Sequence, residues 1–354
     1  MISDRERLLS NPGFGRVFTE HMVRARWTAG GGWTDLELTR YAPLMLDPGT
    51  SALHYSQAVF EGLKAFRQAD GSVAVFRPGA HASRFRRSSA RLALPELPEQ
   101  VFLGAIDMLL EADHEWVPSA PDHSLYLRPL MYASEVTLLV HPSTTVEFLL
   151  IASPSGPYFP RGVKPVTVWL SQDFSRAAPG GTGAAKTGGN YAGSLLAQAQ
   201  AEAEGCDQVV WLDSHEHRWV EEMGGMNLFF VFGAGENARL LTPALTGTLL
   251  PGVTRDSLLT LGRDLGYSTE EGRLSVEEWR RGNADGSLTE VFACGTAAVI
   301  TPVGAVKSAG ASWTVGDGEP GTVTMRLRRA LVDIQRGAAS DPHEWLYPIR
   351  VMSR

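Results

Sequence analysis

A cluster of prolines near the middle constrains this chain most. Pro154, Pro157, Pro160 and Pro165 fall within Ser153–Pro165, together with Gly156 and Gly162. Each proline fixes its own φ, removes a backbone donor and pushes the preceding residue out of the helical region. Regular structure is therefore not expected through this stretch, and the chain divides there. The expectation is a smaller α/β domain over 1–156, an interdomain linker at 157–166 and a larger domain over 167–354. A length of 354 residues accommodates two domains.

On the N-terminal side, Leu36–Tyr41, Val73–Phe76, Ser124–Pro129 and Thr145–Ile151 have the composition of strands, while Ala80–Leu92 and Val101–Glu111 have helical spacing. On the C-terminal side a strand at Val166–Leu170 precedes the small-residue stretch PGGTGAAKTGGNY. A helix is expected over Tyr191–Glu204, capped by Asn190 and ended by Gly205. Further strands are expected at Gln208–Leu212, Arg218–Glu222, Leu228–Phe232, Leu240–Thr242, Glu290–Cys294 and Ala298–Val303. Helices are expected at Val253–Leu265 and near Val323–Gly337. Grouped strands with helices between them read as a two-domain α+β or mixed α/β protein, not one continuous doubly wound sheet.

Composition excludes several classes. A net charge of -7 leaves no basic excess for a general nucleic-acid binder, and the local run Arg84, Arg86, Arg87, Arg91 reads as a solvated helix face. The two cysteines, Cys206 and Cys294, lie far apart and suggest a reduced, cytoplasmic protein. The apolar runs are strand-sized, so no membrane span is expected. The opening MISDRERLLSNPGFG has no apolar core of a signal peptide.

Lys186 stands among Gly180, Gly181, Gly183, Ala184, Ala185, Gly188 and Gly189. Small neighbours let backbone approach a planar ligand and leave an amine partly desolvated, which favours the neutral nucleophile needed for imine formation. A solvated loop lysine fits this segment alone equally well. A phosphate-binding P-loop fits worse, because Ala185 replaces its second glycine and no buried strand precedes the segment. Gly233-Ala-Gly235-Glu-Asn-Ala238 matches a relaxed dinucleotide fingerprint, but a strand-like run follows it, so it reads as a hairpin turn. His215-Glu216-His217 reads as an exposed hairpin tip, and no metal site is expected.

Three other segments gain meaning beside Lys186. Glu222 precedes an apolar strand, where a carboxylate needs a partner. Leu250-Pro-Gly-Val-Thr-Arg255 sets a Pro-Gly turn before a helix whose first N–H groups suit a phosphate. Phe292-Ala-Cys-Gly-Thr-Ala297 places small and hydroxyl residues at another turn. An amine, a carboxylate and two anion cradles are the set that pyridoxal 5'-phosphate requires.

With these residues in view, the chain resembles the fold-type IV pyridoxal-phosphate enzymes, and within them the branched-chain amino acid aminotransferases. The matching stretches are GFGRVFTEHM (13–22), LHYSQAVFEGLKAF (53–66), FRPGAHASRFRRSSARL (76–92), SLYLRP (124–129), KTGGNYAGS (186–194), EMGGMNLFF (222–230), LLPGVTRD (249–256) and FACGTAAVITPV (292–303). They occur in the family's order over most of the chain.

The resemblance implies reversible transamination of leucine, isoleucine or valine with 2-oxoglutarate, with Lys186 as Schiff-base and proton-shuttle residue. It implies that Tyr191 bonds the cofactor's phenolic oxygen and Glu222 its pyridine nitrogen. Arg84, Val253, Thr254 and Thr296 are implied at the phosphate. Thr296 and Ala297 are implied at the substrate carboxylate, and Phe14, Tyr55, Phe60, Tyr126, Val140 and Tyr158 in the side-chain pocket. Arg128 is implied to accept the acidic co-substrate. Tyr55 and Val140 belong to segments that, in the family, complete a neighbouring subunit's site, which implies a homodimer. A D-amino acid aminotransferase or an aminodeoxychorismate lyase would use the same Lys186 and Glu222; a nucleotide hydrolase centred on Gly180–Thr187 is the rival from another class. Two departures stand out. Ala298 and Thr301 occupy the positions of a redox Cys-x-x-Cys pair found in some members, and Gly225 replaces a threonine of some relatives.

Overall fold

The computed structural model describes residues 4–156 and 163–350. Its contacts fall into two compact units. The first comprises Met1–Pro160, Ala185–Gly188 and Asp333–Arg354; the second comprises Arg161–Ala184 and Gly189–Val332. A single break at 157–166 therefore does not reproduce the contact units. The lysine segment 185–188 and the C-terminal stretch from 333 both group with the N-terminal residues.

The first unit holds a nine-stranded antiparallel sheet. Its order runs Leu346–Ile349, Val73–Phe76, Leu63–Arg67, Ser124–Ala133, Thr145–Ser155, His21–Thr28 and Gly32–Trp33; Glu37–Arg40 and Ala58–Phe60 pair off this path. Helices Pro78–Arg91 and Glu99–Asp113 contribute Phe85, Phe102, Ile106 and Leu109 to one core with Leu63, Leu125, Leu127 and Phe148. Side chains buried to this extent each stabilise the fold by roughly 1.5–3 kcal/mol.

Two expected strands run further than their prolines suggested. Ser124–Ala133 continues through Pro129 because the neighbouring strand is interrupted there. Leu127 pairs with Leu63 and Leu130 with Phe60, and at the gap Glu61 N–H donates to the Pro129 carbonyl at 2.8 Å. The missing proline N–H thus costs no ladder bond. Thr145–Ser155 continues through Pro154, which pairs with Leu125 beyond the last register pair to His21–Thr28, at Leu150.

The second unit is a mixed sheet that closes on itself. Val220–Met223, Gln208–Leu212, Val166–Leu170, Val299–Ser308, Leu288–Gly295 and Met226–Phe232 neighbour one another in that order. Glu222↔Asn227 and Met223↔Met226 complete the circuit, and Arg239–Pro243 and Ser268–Gly272 extend it. The expected helix at Tyr191–Glu204 is two helices, Gly188–Ala192 and Leu195–Ala203. Asn190 does not cap them; its side chain bonds Thr182 at 2.6 and 2.8 Å. Ala197 and Ala201 pack on Val209 and Trp211. No helix among the described residues is long and apolar enough to cross a membrane.

Candidate active site

Lys186 has a fixed backbone although its segment has no extended strand or helix of its own. Its N–H donates to Ser88 Oγ at 2.9 Å, and its carbonyl accepts from the Phe60 N–H at 3.0 Å. Thr187 Oγ1 donates to the Ala58 carbonyl at 2.8 Å, and Val59 and Thr187 form an isolated bridge. Ala185 and Thr187 are buried, so the small residues serve close packing against strand Ala58–Phe60 and helix Pro78–Arg91. The half-buried Lys186 Nζ lies 5.0 Å from the centroid of the Phe60 ring. That is not a solvated loop lysine.

The same ring organises other expected residues. Arg128 Cζ lies 4.8 Å from the Phe60 centroid and 5.3 Å from that of Tyr126, and Arg128 Nη2 donates to the Tyr126 hydroxyl at 3.2 Å. Arg128 Nε is buried without a hydrogen-bond partner. Phe14 meets Tyr126 edge-on at 5.1 Å. Gly62 is required here, because any Cβ would strike the Tyr126 hydroxyl. Phe14, Phe60, Tyr126, Arg128 and Lys186 are thus gathered around two rings. Tyr55 and Val140 lie elsewhere on the first unit, on an exposed apolar stretch where Tyr55 donates to the Leu138 carbonyl at 2.5 Å. Tyr158 lies outside the described residues.

Arg84 is held by a carboxylate that sequence reasoning missed. Its Nε lies 2.6 Å from Glu61 Oε1 and its Nη2 2.8 Å from Oε2, and His81 Nδ1 donates to Oε2 at 2.8 Å. All three side chains are buried. Burial opposes the charged carboxylate, yet the Arg84 guanidinium and the His81 hydrogen bond hold Glu61 well below the usual carboxylate range. Burial pushes His81 down despite Glu61, so its imidazole is neutral at pH 7. The Nε–Nη2 edge of Arg84 faces Glu61. The available signal was Glu61 itself, an acid inside the apolar run AVFEGLKAF.

In the second unit Glu222 is the fixed acid. It is 1% exposed; Oε1 accepts from the Leu250 N–H at 2.7 Å and from Asn227 Nδ2 at 3.1 Å, and Arg176 Nε lies 3.1 Å from Oε2. Arg176 is the partner this carboxylate needed, and its place in the irregular SQDFSRAAP stretch concealed it. The Tyr191 ring lies against Gly225, where a Cβ would come within 3.2 Å of Cε1, so a larger residue at 225 would crowd the phenol. Helix Val253–Asp264 begins after Gly252 with no side-chain cap, leaving the first-turn N–H groups of Val253 and Thr254 to other acceptors. Thr296 and Ala297 form the half-buried turn between Leu288–Gly295 and Val299–Ser308.

The rival motifs resolve into structure. The Lys186 segment is reached through an irregular stretch, 171–186, not directly from a strand as a P-loop demands. Gly235–Asn237 is a single 3₁₀ turn between two paired strands. In the hairpin at 213–219, four backbone N–H groups, those of His215, Glu216, Arg218 and Trp219, point to the Asp213 carboxylate. Burial opposes them, but together they hold Asp213 at about 2. Cys294 is buried, and burial pushes its thiol far up, as expected of an inert cysteine.

The first unit thus supplies a fixed amine and an aromatic-flanked guanidinium, and the second a fixed acid and an uncapped helix start. The amino-transferase class IV family model matches residues 58–306, and the chain belongs to this family. It is 60% identical to the probable branched-chain-amino-acid aminotransferase of Streptomyces coelicolor, over 98% of this chain and 95% of that one. The Escherichia coli branched-chain amino acid aminotransferase superposes with a TM-score of 0.77 at 29% identity, covering 94% of this chain and all of that one. The T.th. branched-chain amino acid aminotransferase with pyridoxamine 5'-phosphate gives a TM-score of 0.74 at 28% identity, covering 91% of this chain and 97% of that one. The expected family and the two-part mixed α/β fold are borne out.

Proposed function

We propose that this chain catalyses reversible transamination of L-leucine, L-isoleucine and L-valine with 2-oxoglutarate, using pyridoxal 5'-phosphate on Lys186. The observation that carries this reading is the Lys186 amine, pinned through both its backbone groups and set against the ring that also meets Arg128. When bound, pyridoxal phosphate supplies an electrophilic carbonyl and a ring that accepts electron density from the substrate's α-carbon. Lys186 would hold the cofactor and, once displaced by substrate, move the α-proton. Glu222 would keep the pyridine nitrogen protonated, and the bonds to Asn227 and Leu250 fix its direction. Tyr191 would bond the phenolic oxygen. Arg84, the N–H groups of Val253 and Thr254, and Thr296 would take the phosphate.

Thr296 and Ala297 would receive the substrate carboxylate, with Phe14, Phe60, Tyr126 and Tyr158 around the aliphatic side chain. Arg128 would then pair with the distal carboxylate of glutamate or 2-oxoglutarate, its unsatisfied Nε supplying a donor. One pocket serves both substrates because a guanidinium over aromatic faces offers apolar and charged contacts together. The exposed Leu138, Leu139 and Val140 beside Tyr55 favour a homodimer in which this stretch completes the partner's pocket; a cytoplasmic location fits the reading. A substrate panel tests it: with 2-oxoglutarate, L-leucine, L-isoleucine and L-valine yield glutamate and D-alanine does not. Glutamate from D-alanine and none from L-leucine would overturn the assignment.

A further inference from the structure

Glu221 and Glu222 are consecutive on strand Val220–Met223, so their side chains leave opposite faces of the closed sheet. Both are buried. Glu222 is placed by the segment Thr248–Leu250. The Leu250 N–H donates to it, the Leu250 carbonyl holds Asn227 at 3.1 Å, and the Thr248 carbonyl holds Arg176 at 3.1 Å. Residues 244–252 nevertheless belong to no strand or helix. Ala244 is tied to the Gly272 carbonyl at 2.8 Å, and from there to Gly252 the segment is held by side chains, among them the buried Leu249 and Leu250.

Thr248 is another such anchor, and Glu221 is what it is anchored to. The Thr248 hydroxyl donates to Glu221 Oε1 and meets the Thr246 hydroxyl at 2.8 Å. Glu221 and Thr248 both line a cavity of about 180 Å³ walled by Trp219, Pro243 and Leu249. Both side chains are buried, and their hydrogen bond ties this irregular segment to strand Val220–Met223. The segment then runs through Pro251 and Gly252 into the first turn at Val253 and Thr254.

We propose that Glu221 is a positioning residue: through Thr248 it clamps, from the outer face, the segment that aims Glu222 and the helix start at the cofactor. This rests on the reading of Glu222 above. Burial, with Glu222 and Asp213 nearby, raises the proton affinity of Glu221, while the Thr248 hydrogen bond and Arg176 oppose that rise.

The test measures pyridoxal-phosphate affinity by absorbance together with kcat, KM and melting temperature. Thr248→Val and Glu221→Leu should each weaken cofactor affinity about tenfold, the lower end for groups that orient a site's direct ligands. The double variant should be no worse than either single one. Thr248→Ser and Glu221→Gln, which keep the donor and the acceptor, should restore most of the affinity. Glu222→Gln is the control and should lose affinity and shift the absorbance of the bound cofactor. Unchanged affinity in Thr248→Val and Glu221→Leu, with loss in Glu222→Gln, overturns the clamp alone. No change in Glu222→Gln overturns the role of Glu222 and the clamp with it. Melting temperatures that fall without any change in affinity would also overturn the clamp.

Discussion

The side chains proposed for the chemistry are placed by contacts from other residues. Lys186 depends on Ser88 and Phe60 for its placement, and Lys186→Ala should lower kcat by about 10³-fold or more in a leucine assay. Arg128 is expected to divide the two half-reactions. Arg128→Leu should raise KM for 2-oxoglutarate about 10- to 100-fold, the worth of one hydrogen-bonded charge, and leave the leucine half-reaction much less affected in single-turnover measurements. Glu61→Gln would leave the buried Arg84 poorly paired, and urea denaturation should show a loss of about 3–5 kcal/mol. Lys186, Glu222 and Arg128 could be proposed from the sequence because motifs surround them. The pairs Glu61–Arg84 and Arg176–Glu222 could not: an acid in an apolar run marks Glu61 as needing a partner, but pairing across tens of residues leaves no local spacing that names it.

At the scale of elements, legibility followed apolar content. Val73–Phe76 and Leu228–Phe232 were evident because a buried strand is a continuous apolar run. His21–Thr28 escaped because Arg24 and Arg26 interrupt the pattern, and both turn to Glu147 at 3.6 and 3.5 Å. Ser268–Gly272 escaped because it is a polar strand at the end of its sheet, paired with Arg239–Pro243. Helix Val276–Asp285 had a readable start, since Ser275 and Glu278 form a reciprocal cap and Gly286 ends it at φ 77°. Ser275→Ala should therefore cost about 1 kcal/mol in urea denaturation and leave activity unchanged.

For the molecule as a whole, the buried Glu61–Arg84–His81 group sets an acid limit. Glu61 titrates below its unfolded value, so its stabilisation is present above about pH 4.3 and is lost as pH falls through that range. His81 also titrates below its unfolded value, so from about pH 6.5 downward the unfolded chain takes up a proton that the folded chain refuses. Both signs agree: melting temperature should fall steadily on acidification below about pH 6.5, and His81→Asn should flatten the upper part of that fall. The grouping of Ala185–Gly188 and Asp333–Arg354 with the first unit was not legible in the sequence, because no local pattern encodes a tertiary destination.

The central claim is that Lys186 carries pyridoxal phosphate and serves branched-chain substrates. Spectral titration of the purified holoenzyme tests both parts at once. L-leucine should bleach the near-violet cofactor band in a stoichiometric half-reaction, 2-oxoglutarate should restore it, and borohydride should fix the cofactor's mass on the peptide containing Lys186. A protein that takes up no pyridoxal phosphate, or whose band responds to D-alanine and ignores L-leucine, would contradict the account.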